Sequence, residues 1–283
     1  EAWWNYSDGK WDTFVQMREI DDEFRADTGF VPQVGYRLGY AEFGRTFRAE
    51  DRAIRRVRTF VYSQVEEALD GRSLRRMITP GFGLDAPLGT FFRFEVPIDE
   101  VRAGDRMFDR VRGQVTVDMR PGRVLNRVYL VALYGDDVDF AENRAARGGT
   151  IQLQTSWRFG SHLAVGTTMN RRWLDLETSP IPGADRLLTA DVLRLRGVYT
   201  WSSRMWLRAI AQWVATERDP RLFTDEVDRK SGGLSGSAVF AYKLNWQTVL
   251  YLGYADNRAL DLDEDLQPEE RQVFLKLSYA FRD

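Results

Sequence analysis

The sequence predicts an all-β chain, an antiparallel up-and-down transmembrane β-barrel of about 14 or more strands. Three observations lead there. Apolar and polar residues alternate with period 2 through almost the whole chain, and helical periodicity is nearly absent. The connections between alternating segments are long and short in turn. Charged residues recur on one side of strands whose other side is apolar. The 283 residues are expected to form one barrel unit, 1–283.

The expected strands are 1–6, 10–20, 34–47, 53–69, 72–83, 88–98, 107–120, 124–136, 148–159, 163–174, 188–201, 204–217, 231–243, 247–258 and 271–281. In TFFRFEV, Phe92, Phe94 and Val96 oppose Arg93 and Glu95. In VRGQVTVDMR, Val111, Val115, Val117 and Met119 oppose Arg112, Gln114, Thr116, Asp118 and Arg120. VYLVALY, Val128 to Tyr134, is the longest apolar run. In TIQLQTSWRF, Ile151, Leu153, Thr155, Trp157 and Phe159 oppose Gln152, Gln154, Ser156 and Arg158. The last strand, RQVFLKLSYAF, sets Val273, Leu275, Leu277, Tyr279 and Phe281 against Gln272, Phe274, Lys276, Ser278 and Ala280. A water-soluble sandwich would keep such charges on a solvent face; a barrel would keep them in a watered lumen.

Read from the C-terminus, Asn257–Glu270, Glu217–Lys230, Asp175–Arg186 and Gly135–Gly148 are long, and Ile98–Arg106 is moderately long. Lys243–Gln247, Trp201–Arg204, Phe159–Leu163, Arg120–Arg123 and Leu84–Gly89 are short. Outer-membrane barrels have short periplasmic turns and long external loops. The acidic loops are therefore expected outside, and RPGR, FGSHL, WSSR and KLNWQ in the periplasm. Trp157, Phe159, Tyr199, Trp201, Trp246, Tyr279 and Phe281 gather at the short-turn ends, where a ring with a polar tip suits a membrane interface.

Composition fits this reading. Aromatics make up 13% of the chain, with 9 Trp, 17 Phe and 11 Tyr. No stretch approaches about 18 consecutive apolar residues, so no transmembrane helix is expected. Net charge is −2 and the arginines alternate with acids, which argues against nucleic acid as a partner. There is no Cys, hence no disulfide, thiolate metal site or thiol nucleophile.

Two stretches resemble a known family. EFRADTGFVPQVGYR carries an F-x-x-x-x-G-F-V motif on Phe24, Gly29, Phe30 and Val31, and LNWQTVLYLGY with RQVFLKLSYAF resembles the family's closing strands. The family comprises large bacterial outer-membrane barrels known as a domain of unknown function. Its members carry an N-terminal carbohydrate-binding-like sandwich and further strands before the motif. The resemblance implies the outer membrane of a Gram-negative bacterium and a region upstream of this chain. Fifteen expected strands, an odd number, also point to a strand upstream or to a first segment that does not span. The closing Tyr279 and Phe281 resemble the C-terminal signal read by the barrel assembly machinery, although Arg282 and Asp283 follow.

Chemistry is sparse. The only histidine, His162, sits beside Ser161 in a tight turn, a poor arrangement for a nucleophile and its base. The chain is expected not to be an enzyme and to need no cofactor. Asp261, Asp263 and Asp265 alternate as Ca²⁺ ligands can, without the Gly and terminal Glu of a dedicated loop. Asp136, Asp137 and Asp139 read similarly. Lysine occurs only at 10, 230, 243 and 276, so the 40 basic residues are mainly Arg. Arg37, Arg58, Arg93, Arg112, Arg158, Arg194, Arg196 and Arg208 are expected on the lumen face with Glu95 and Asp118. They would form either an anion- or sugar-attracting wall or an internal Arg–carboxylate lattice. Two roles follow: a channel for a small solute, or a non-conducting anchor for a periplasmic or surface protein. The lipid bilayer is the expected partner in both.

Overall fold

The computed structural model describes residues 1–25, 33–49, 53–261 and 264–281. Sixteen strands form one antiparallel sheet: β1 Ala2–Ser7, β2 Trp11–Ile20, β3 Tyr36–Arg48, β4 Arg56–Ala68, β5 Ser73–Ala86, β6 Thr90–Glu95, β7 Ile98–Ala103, β8 Arg106–Met119, β9 Leu125–Asp139, β10 Arg144–Phe159, β11 Leu163–Leu176, β12 Arg186–Ser202, β13 Met205–Arg218, β14 Lys230–Lys243, β15 Thr248–Leu260 and β16 Leu266–Tyr279. Strands pair in sequence order, and β6 and β7 share β5 as a partner, so they are two halves of one strand interrupted at Val96 and Pro97. Proline has no amide hydrogen to give the ladder. A single sheet in meander order rules out the two-sheet sandwich.

Two compact units are present. The first is Glu1–Val117 with Ala132–Gly148; the second is Asp118–Val131 with Gly149–Asp283. In the second, short turns at 160–162, 203–204 and 244–247 oppose longer connections at 177–185 and 219–229, as expected. The 219–229 connection opens with a 3-10 turn, Pro220–Leu222, capped by the Asp219 side chain.

Three expected loops are instead largely strand. Ile98–Arg106 is β7 followed by a tight turn in which Gly104 takes φ +57. Gly135–Gly148 contracts to 140–143, and Asn257–Glu270 to 261–265. One physical cause serves all three. Opposite charges face each other across the ladder, as Asp139–Arg144 at 2.7 Å, Asp136–Arg147 at 3.0 Å, Asp256–Arg271 at 3.0 Å and Asp99–Arg110 at 2.6 Å. Cross-strand ion pairs stabilise strand ends whose composition alone suggests a loop.

Register assigns each side chain to a face, because partners directly opposite share one. In the first unit Arg76, Ile78, Pro80 and Phe82 are exposed, while Met77, Thr79 and Gly83 on the alternate face of β5 are half-buried or buried. Through the pairings, Phe43, Phe47, Val65, Ile98 and Val111 join the exposed apolar face. In the second unit Leu193, Leu195, Tyr199, Leu207, Trp213, Phe240, Leu252 and Tyr254 share one face with Val273, Leu275, Leu277 and Tyr279. The last four are 71%, 72%, 64% and 51% exposed, so the final apolar stripe does not enter a core.

Candidate functional site

The polar face of the first unit is built around Asp99, whose side chain is fully buried. Register sets Asp99 opposite Met77 on β5 and Arg110 on β8. Arg110 grips both carboxylate oxygens, with Nη2 at 2.6 Å and Nε at 3.1 Å. Arg112 Nη2 reaches both at 3.0 and 3.2 Å, and Arg75 Nε donates at 3.1 Å. Arg110 Nη1 also donates to Asp137 at 3.3 Å. Planar guanidinium groups make such paired bonds to carboxylates, which is why three can surround one Asp.

A second network lies on the same face. Arg58 donates to Asp12 on β2, with Nε at 3.1 Å, and to Glu42 on β3 at 2.6 Å. To reach Asp12 from β4 it lies across Gly44; a Cβ there would fall 2.7 Å from Arg58 Cζ. Arg93 donates to Glu95 at 2.6 Å, and Gln114 binds the other Glu95 oxygen at 2.6 Å. The Phe60 ring fits above Gly81, between Arg58 at 5.2 Å and Arg93 at 4.1 Å. Cation–π contact and ion pairing thus lock the same guanidinium groups.

The second unit differs. Arg194, Arg196 and Arg208 share a face by register, and among the described residues no carboxylate pairs with them. Arg194 and Arg196 are exposed. Arg194 belongs to a row of polar side chains directly opposite one another on successive strands: Thr168, Arg194, Gln212, Ser235, Asn257 and Glu270. A hollow of about 260 Å³ is lined by Arg194, Gln212, Ser235, Ser237 and Asn257. A guanidinium beside amides and hydroxyls offers donors to an anion or a hydroxylated solute.

Other expected residues fall as follows. Arg37 does not join the polar face. It shares the side of Phe43 and Phe47, at the start of β3, and bonds Glu19 at 2.6 Å. Period 2 itself sets Arg37 on that side, since it lies an even number of residues from Phe43 and Phe47. Asp118 accepts two bonds from Arg127, at 3.0 and 2.9 Å. Arg158 is exposed. Trp157 stacks on Phe159 at 6.4 Å, Tyr199 meets Trp201 edge-on at 4.8 Å, and Tyr279 meets Phe281 edge-on at 4.9 Å. Trp246 lies in the 244–247 turn, 67% exposed. Asp261 accepts from the Asp265 amide at 2.8 Å and from Gln267 at 2.9 Å, which closes the turn; Asp263 lies outside the described residues. So do Gly29, Phe30 and Val31 of the family-like motif, and Arg282 and Asp283. His162 Nδ1 sits 2.6 Å from the Thr200 carbonyl oxygen, in an exposed turn.

Asp12, Glu42, Arg75, Asp99 and Arg110 were missed from sequence. Asp12, Glu42 and Arg75 carry the period-2 signal and could have been found by it. Asp99 sat in a stretch read as a loop.

A cavity of about 580 Å³ lies beside the long connections of the second unit, lined by Arg186, Arg218, Arg221, Arg229, Lys230 and Glu264. Arg229 and Lys230 hold the Glu264 carboxyl below its usual range, and Arg221 does the same to Asp219. Most of these cations are thereby occupied.

No protein-family model matches the chain, and no curated protein matches it. Among solved structures it is similar to OmpT, an outer membrane protein of Vibrio cholerae, folded in vitro: 12% identity over 94% of this chain and 97% of that one, with a TM-score of 0.35. The trimer form of that protein gives 12% identity over 99% of both chains and a TM-score of 0.34. The expectation that the chain is not an enzyme is corrected on this comparison: the neighbours are OmpT proteins, and a likeness at this level excludes no activity, so the exclusion is withdrawn.

Proposed function

We propose that the chain forms an outer-membrane β-barrel of a Gram-negative bacterium, inserted by the barrel assembly machinery, and that its polar face passes a small solute with a modest preference for anions. The observation that carries this is the segregation of the sheet. Within each unit one face exposes apolar side chains and the other collects arginines, and in the second unit Arg194, Arg196 and Arg208 have no carboxylate partner among the described residues.

The dimensions support a membrane. Along β13 the apolar side runs from Met205 to Ala215 before Glu217 interrupts it. Ten steps at about 3.4 Å each cover about 34 Å, or about 26 Å at a tilt near 40°, which suits an apolar band of about 25 Å. Charged pairs follow on the same side, such as Arg171–Asp191 at 3.8 Å and Arg258–Asp256 at 3.0 Å. In lipid an arginine at mid-depth costs about 2–4 kcal/mol, so Arg194, Arg196 and Arg208 belong on a watered face. Fixed positive charge there raises the local anion concentration.

A second reading is a non-conducting anchor for a periplasmic or surface protein. The ion-pair lattice around Asp99 and Arg58 favours it, because paired charges stiffen a wall without attracting ions. Single-channel reversal potentials across a KCl gradient separate the two. The channel reading expects chloride to be favoured, and Arg194→Gln/Arg196→Gln to reduce that preference. A cation preference, or no conductance from a verified folded protein, overturns it and leaves the anchor.

A further inference from the structure

We propose that the polar face of the first unit binds neutral linear oligosaccharides along a ladder of aromatic rings. Trp3 on β1, Phe14 on β2, Tyr40 on β3 and Tyr62 on β4 form one series, with centroids 6.5, 6.0 and 5.9 Å apart. Register places all four on the side that carries Asp12, Glu42 and Arg58. Phe60, stacked on Tyr62 at 6.2 Å and covered by Arg58 and Arg93, closes one end of the series. The opposite side of these strands has its own apolar residues, Met17, Phe43 and Val65, so the ladder is not part of that surface.

The rows alternate in kind. Trp3 and Tyr40 flank Gln16, and Gln64 follows; Phe14 and Tyr62 flank Glu42. Each ring therefore has an amide or a carboxylate beside it. This suits a pyranose chain, whose C–H faces are apolar and whose edges carry hydroxyls. Rings take the faces, and the amide and carboxylate groups take the hydroxyls. Ring spacing of this size matches successive sugar units along one strand of polysaccharide. Local charge favours a neutral ligand. Arg58 is held by Asp12 and Glu42, and Arg93 by Glu95, so neither guanidinium is left to demand an anion. Tyr40 donates its hydroxyl to Glu42 at 2.7 Å, which fixes the ring before any ligand arrives and lowers the ordering cost of binding.

The property is independent of conductance, and its test avoids it. The folded chain in a sugar-free detergent is titrated calorimetrically with maltohexaose, cellohexaose and glucose. At least one hexasaccharide is expected to bind, with glucose at least about tenfold weaker. Phe14→Leu and Tyr62→Leu are each expected to weaken hexasaccharide binding about tenfold, the worth of one good aromatic contact. Tyr62→Phe should stay within about threefold. Where Phe14→Leu fails to give the folded gel band, Trp3→Leu on the edge strand replaces it. No binding of either hexasaccharide by the folded wild type overturns the proposal. So does unchanged affinity in folded Leu variants, which would leave the rings as cross-strand packing. A chain that binds sugar but conducts nothing keeps this proposal and removes the channel.

Discussion

Asp99→Asn should be among the most damaging single substitutions in the first unit. The wild-type carboxylate is fully buried and receives Arg75, Arg110 and Arg112, with Arg110 and Arg112 themselves 7% and 13% exposed. The amide that replaces it carries no charge and presents one oxygen where two stood. Three guanidinium groups would then face one another, with Asp137 3.3 Å from Arg110 and Glu66 across the ladder from Arg75. Removing one partner from a buried ion pair costs about 3–5 kcal/mol, because the remaining charge stays desolvated. Here the orphaned charge exceeds one, so a loss at the upper end of that range is expected. Arg110→Met in the same chain should recover part of it, since the pair is replaced by an apolar group and the repulsion falls. The assay is urea unfolding in micelles, followed by tryptophan fluorescence and by the mobility of the folded band on gels. A loss below about 1 kcal/mol for Asp99→Asn, or strict additivity with Arg110→Met, would refute the lattice as a stabilising element, since contacting residues couple by about 0.5–3 kcal/mol.

Two further outcomes are expected. Leu275→Arg, at a position 72% exposed on the apolar side of β16, should cost about 2–4 kcal/mol for folding into a bilayer; Gln272→Arg, on the other side of the same strand, should cost less than about 1 kcal/mol, and equal costs would sink the lipid-facing assignment. Glu264 has its carboxyl held below the ordinary range by Arg229 and Lys230, so its contribution is present above the unfolded carboxylate value and is lost as pH falls through the lower folded one. Hydrogen-exchange protection in 219–229, corrected for the intrinsic rate at each pH, should fall on acidification below about pH 4, and Glu264→Gln should show that lower protection already at neutral pH.

How far the residues alone reach is clearest at β16 and at β7. Val273, Leu275, Leu277 and Tyr279 announce a strand and its lipid-suited side through a pattern that needs no partner, since alternate side chains of a strand point to opposite faces. The same local rule located Arg58, Arg93, Arg112, Arg194, Arg196 and Arg208 on the polar side and the aromatics near the turns. It was misapplied at Arg37, which lies an even number of residues from Phe43 and Phe47 and so shares their side. It failed at Ile98–Arg106, Gly135–Gly148 and Asn257–Glu270. There, acidic stretches read as loops became strand because Arg110, Arg147, Arg144 and Arg271 stand across the ladder from them. Periodicity within a segment is a local property, fixed by backbone geometry. Which carboxylate meets which guanidinium is set by register between segments, and so the Asp99 cluster, the reach of Arg58 across Gly44 and the series of rings from Trp3 to Tyr62 exist only once the strands have paired.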